Sequence, residues 1–223
     1  MERHFDRELE DLKKELLRMG ALVEGEIFES IEALKNLSIE RANKVINDDK
    51  VIDELENKID EMCLNLLALR QPMAVDLRFI TMSLKISTDL ERMADLAVDI
   101  AQRVLELSGK PLLKPLIDIP KLTELAKEMV TSSMNAFVNK SADMAGKVIL
   151  LDRYADKLRD TVQKELVDDF ISKDASSAGR AVPLILIARH LERICDHATN
   201  IAEDVIYMLQ AEVVKHHSEK LKN

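Results

Sequence analysis

The sequence predicts an all-α fold made of two tandem, duplicated three-helix bundles, six long helices in all. Three observations carry this. Strand and turn formers are scarce, with 5 Gly, 5 Pro and 3% aromatics among 223 residues, while Leu, Ile, Ala, Glu, Lys and Asp dominate. Apolar residues recur three and four apart over stretches of about thirty residues, the signature of a helix with one buried stripe. The second half also repeats landmarks of the first at offsets of 101 to 103 residues, as an internal duplication does.

The first helix follows from Phe5, Leu9, Leu12, Leu16, Met19, Val23, Ile27, Leu34 and Leu37, which share one face. Gly20 and Gly25 weaken it without ending it. Asn36, Leu37 and Ser38 read as a turn in which Ser38 caps the next helix and Glu40 occupies its first turn. The second helix carries an unbroken heptad seam of Ile52, Leu55, Ile59, Met62, Leu66 and Leu69, and Pro72 closes it. The third is predicted from about Asp76 to Leu107, with one seam through Leu77, Leu84, Glu91, Val98 and Leu105 and another through Ile80, Ser87, Ala94 and Ala101. Residues 108–115, with Gly109, Pro111 and Pro115, break the pattern. The expected division is a first bundle over 1–108, a linker over 109–117 and a second bundle over 118–223, each bundle closing its own core. Pro120 suits the start of the fourth helix. Ser141 repeats Ser38, Lys147-Val148-Ile149 repeats Lys44-Val45-Ile46, and the last helix begins after the polar stretch 174–179.

Composition narrows the function. Hydrophobic residues make up 47% of the chain, enough for a substantial core, and the formal net charge of −9 disfavours nucleic-acid binding. The longest apolar run, 181–188, is too short to span a bilayer, and no apolar leader follows Met1. The expectation is a soluble, cytoplasmic protein without membrane insertion, whose two cysteines, Cys63 and Cys195, are small core residues. His216 and His217 are expected to lie in a polar tail.

The most informative feature is a repeated octapeptide: Leu90-Glu91-Arg92-Met93-Ala94-Asp95-Leu96-Ala97 and Leu191-Glu192-Arg193-Ile194-Cys195-Asp196-His197-Ala198. Each copy stacks a Glu and an Asp on one helix face, roughly 6 Å apart. Asp53 lies nineteen residues before Pro72 and Glu91 nineteen after it, so in an antiparallel helix pair the two are level. Asp49 and Asp53 therefore face Glu91 and Asp95, and Asp152 and Asp156 face Glu192 and Asp196. Two readings follow. Four carboxylates form a hard oxygen site for a divalent cation such as magnesium, calcium, manganese or iron, and histidine would widen the choice to zinc. Alternatively these are solvated faces neutralised by Arg92 and Arg193, each three residues before its Asp. Asp99 and Asn200 follow one turn later as peripheral ligands or ordinary surface. His197 fits a surface or partner contact better than a ligand, and Cys195, which stands where the first copy has Ala94, fits packing.

Catalysis finds no support in the sequence. No phosphate loop, nucleophile or catalytic dyad is present. Diiron bundle oxidases use Glu-x2-His, and Ala94 and Cys195 stand where that His would be. The protein is expected not to be an enzyme.

The duplicated Leu-Glu-Arg-x-x-Asp, the Arg70-Gln71-Pro72 turn followed by Asp76-Leu77-Arg78, and the stretch from Asp196 through Asn200 to Asp204 together resemble the PhoU family over nearly the whole chain. The resemblance implies two similar three-helix bundles, a homodimer, and divalent or multinuclear metal (iron, zinc, magnesium or similar) held by Asp49, Asp53, Glu91, Asp95, Asp152, Asp156, Glu192, Asp196 and Asn200. It implies a negative regulator of phosphate uptake and starvation signalling that links a phosphate ABC transporter ATPase to a phosphate-sensing histidine kinase. The alternative is a carboxylate-bridged metal protein acting in storage or redox chemistry, and a third class is a metal-free helical adaptor. Two departures stand out. Ala94 and Cys195 replace a Gly common before the motif Asp, and Leu96 stands where His often follows it, so the second site, which keeps His197 and Asn200, is favoured.

Overall fold

The computed structural model describes residues 2–214, so His216 and His217 lie outside the described residues. The chain forms α1 (Glu2–Asn36), α2 (Ile39–Asp48), α3 (Lys50–Arg70), α4 (Ala74–Leu107), α5 (Asp118–Val138), α6 (Ala142–Glu165) and α7 (Ala178–Gln210). A π turn, Leu166–Ile171, and a 3-10 turn, Ala175–Ser177, join α6 to α7. The all-α duplicated architecture is as predicted, with α2 and α3 acting as one rod. No helix among the described residues is long and apolar enough to cross a membrane.

The local signals act as expected. The Ser38 hydroxyl accepts from Arg41 N–H and Ser141 from Met144 N–H, so both halves cap the same helix in the same way. The preceding turns match too. Leu37 and Lys140 take left-handed conformations at φ 47° and 50°, and the next N–H reaches back to Ala33 or Ala136. Two details differ from expectation. The second helix breaks at Asp49, and α4 begins at Ala74, two residues before Asp76.

Of the two seams expected on α4, one is buried and the other is not. Ile80, Ser87, Ala94 and Ala101 are fully buried, whereas Leu77 is 41% exposed and Leu84, Val98 and Leu105 are half-buried. The reason is position. α1 and the α2–α3 rod pack on one side of α4 and α7 packs on another, so the face between them is the one covered.

The buried side chains of the two halves form one continuous cluster. The join is the α4–α7 pair. Arg78 Nε donates to the Met208 carbonyl, Lys85 pairs with Asp204, His197 Nδ1 meets Asp89 at 2.8 Å, and His190 lies 3.8 Å from Asp99. Residue numbers rise on one helix as they fall on the other, so the two are antiparallel. In that register Ala94 lies level with Cys195, Leu90 with Ala198, and Ala97 with Leu191, all fully buried. Small residues opposite large ones let the helices interlock and merge the cores. α5 closes the seam from the other side. Phe137 stacks on Phe79 of α4 with ring centroids 5.5 Å apart, and Lys127 sits over Phe28 of α1.

Candidate functional site

The antiparallel register about Pro72 is realised. Thr88 hydrogen-bonds Glu56, Asp53 acts on Glu91, and Asp95 acts on Asp49, so the pairs follow one another up α3 and α4. Asp49 stands at the break between α2 and α3. Burial, then Asp53 and Asp95, push its carboxyl up to about 6. Burial, then Asp95, push Glu91 up to about 7. Glu91 Oε2 accepts no hydrogen bond among the described residues, although Arg92 Nε lies 3.4 Å away. Arg92 also reaches Asp95 Oδ2 at 3.0 Å, the neutralising contact the sequence offered.

The second centre has the same frame. Burial and the neighbouring acids raise Asp152, Glu192 and Asp196 above the usual carboxylate range. Its cation is not the expected Arg193. Arg159 on α6 meets Asp156 at 3.0 Å, Asp160 at 2.8 Å and Glu192 at 3.3 Å. At the repeat offset Arg159 stands where the first half has Glu56. One centre thus carries an extra carboxylate where the other carries a guanidinium. His197 and Asn200, which favoured the second centre in the sequence, reach across to Asp89 on α4, Asn200 Nδ2 donating to it at 3.3 Å. Thr199 Oγ1 donates to Asp152 at 3.4 Å instead. Among the described residues no three His, Cys, Asp or Glu side chains are drawn together tightly enough to hold one ion.

Sequence reasoning missed Glu26. It lies on the core stripe of α1 and is only 9% exposed, and its Oε2 accepts no hydrogen bond among the described residues. Burial, then Asp49, Asp48 and Asp53, push its carboxyl up to about 8. The signal was available, since Val23, Glu26, Ser30 and Leu34 follow the same helical spacing as the buried leucines. At the repeat offset the second half has Met129. Cys195 is packing, as expected, and burial pushes its thiol up.

The PhoU domain family model matches the chain twice, over residues 16–104 and 119–205. The chain belongs to the PhoU family. The two matched segments coincide with the two acidic frames just described. The phosphate-specific transport system accessory protein PhoU homolog of Aquifex aeolicus is 41% identical over 216 residues, covering 97% of each chain. That of Pseudomonas aeruginosa is 36% identical, covering 95% of this chain and 88% of its own. The crystal structure of PhoU from Pseudomonas aeruginosa superposes with a TM-score of 0.89 at 36% identity, over 93% of this chain and all of the other. The phosphate transport system regulatory protein PhoU from Streptococcus pneumoniae gives 0.88 at 31%, over 94% and 99%.

Proposed function

We propose that this protein is the cytoplasmic accessory regulator of a phosphate-specific transport system, restraining phosphate uptake and starvation signalling through protein contacts rather than catalysis. The observation that carries this is the family match across both halves, to relatives named as accessory proteins of that system. In this reading the protein acts as a homodimer that links the transporter ATPase to a phosphate-sensing histidine kinase. A rigid helical body with a net charge of −9 suits docking on basic surfaces, where charge complementarity sets orientation and on-rate. Deleting the gene in its native host should leave the starvation genes switched on in phosphate-rich medium. Normal repression there, with no binding of the purified protein to the ATPase or the kinase, would overturn the reading.

A divalent or multinuclear metal belongs to the same proposal. Asp49, Asp53, Glu91 and Asp95 would hold it in the first centre, and Asp152, Asp156, Glu192 and Asp196, with Asn200 beside them, in the second. The donor set fits a hard cation, and Glu91 Oε2 is a buried oxygen that accepts no hydrogen bond among the described residues, with Arg92 Nε 3.4 Å away. A bound cation would offset the mutual repulsion of these carboxylates and reverse the local charge that a partner meets. Arg159 already supplies a cation to the second centre, so the first is expected to bind Mn2+ more tightly. Calorimetric titration of Arg159→Gln should show second-centre affinity rising about tenfold, with first-centre affinity unchanged. Glu192→Ala with Asp196→Ala should abolish second-centre binding while leaving helicity intact. Unchanged metal binding in both variants would leave the salt-bridged reading of these acids standing.

A further inference from the structure

A cleft of about 350 Å³ opens between α1 and the α2–α3 rod, away from α7. Its walls are apolar, and three of the wall residues remain well exposed: Leu22 at 37%, Phe28 at 45% and Val51 at 42%. Glu26 lines it, nine-tenths buried, with a carboxyl oxygen, Oε2, that accepts no hydrogen bond among the described residues. The charged residues lining the cleft are Glu26, Glu29, Asp48 and Lys44; Glu29 is already paired with Arg41 at 3.3 Å and Lys127 sits over the Phe28 ring, which leaves Glu26 as the buried acid facing the cleft. Gly25 lines the cleft, and a Cβ there would meet nothing within 4 Å.

We propose that this cleft is a docking site for a basic amphipathic helix of a partner protein, which seats one arginine or lysine on Glu26. The chemistry is complementary on both counts. A buried acceptor without a partner is costly, and a cationic donor from outside satisfies it. The exposed apolar walls lie along a groove between two helical rods, a shape that accepts the apolar face of a third helix. A small ligand would leave much of Leu22, Phe28 and Val51 in water, whereas a helix covers them together. The second half has no such device at the equivalent place, where Gly25 and Glu26 become Glu128 and Met129. The site therefore distinguishes the two halves of a duplicated fold, and it gives the protein one oriented attachment point in place of two equivalent ones.

The test uses the full-length protein and a fluorescein-labelled synthetic helix of leucine, alanine and glutamine carrying one central arginine, with two further versions carrying glutamine or glutamate there. Binding is read by fluorescence anisotropy. The arginine helix should bind at least about tenfold more tightly than the glutamine version, and the glutamate version should not bind. Glu26→Gln should erase the difference between the arginine and glutamine versions. Gly25→Leu, which grows into open space and favours the helix, should abolish binding of all three. Equal binding of the three helices, binding of none, or a preference for arginine that survives Glu26→Gln would each overturn the proposal. So would self-association of the protein that Gly25→Leu removes while no helix binds, because the occupant would then be a second copy of this chain.

Discussion

Replacing Glu26 by methionine is expected to stabilise the protein by about 3 kcal/mol above about pH 8 and to change little near about pH 5. The Glu26 carboxyl is raised from 4.5 to about 8, first by burial and then by Asp49, Asp48 and Asp53. A raised carboxyl holds its proton in the folded state over a window where the unfolded chain has already lost it. Its favourable contribution is therefore complete below about pH 4.5 and drains away as pH climbs through about 8. A shift of this size corresponds to at most about 5 kcal/mol, and relaxation and water penetration lower that figure. Methionine is the residue the second half already uses at the equivalent position, so the substitution supplies apolar volume in place of the buried charge. Urea unfolding at the two pH values, in the presence of a chelator, measures the effect. A variant whose pH profile parallels the parent's would show that Glu26 is not the source of the slope.

The same residue marks the boundary of what the sequence disclosed. Helix ends, caps and the acidic frames could be read because each rests on interactions between near neighbours in sequence. Ser38 and Ser141 cap where a serine followed by an acidic helix start predicts, and Asp53 meets Glu91 because both are nineteen residues from one turn. What the sequence did not disclose depends on how distant helices approach one another. The repeat shows Arg159 in place of Glu56, yet only packing of α6 on α7 brings its guanidinium to Glu192. His197 and Asn200 sit one turn beyond the second acidic pair, yet the α4–α7 crossing turns them to Asp89. The sequence offers two seams on α4, and only the placement of its several partner helices decides that the one through Ile80 and Ala94 is covered while Leu77 stays exposed. The merging of the two cores follows from the level of Ala94 against Cys195, a register that two separate bundles do not define.

Replacing Phe137 by alanine tests that merged core and is expected to cost about 3–5 kcal/mol, the range for a buried phenylalanine truncated to a methyl group. Phe137 is 1% exposed at the end of α5, and its ring stacks on Phe79 of α4 at an interplanar angle of 13°. The side chain belongs to the second half by sequence and is packed against the first, so its loss removes contacts on both sides of the seam. Because the buried cluster is continuous, the cost should be shared. The chain contains no tryptophan, so hydrogen exchange at the amides of α1 and α6, with circular dichroism for total helicity, reports the two halves separately. Protection should fall by the same free energy in α1 and in α6, and the melt should remain one coincident transition at lower denaturant. Full protection in α1 beside lost protection in α6 would mean that each half folds by itself, and that the α4–α7 seam joins two finished bundles instead of completing one core.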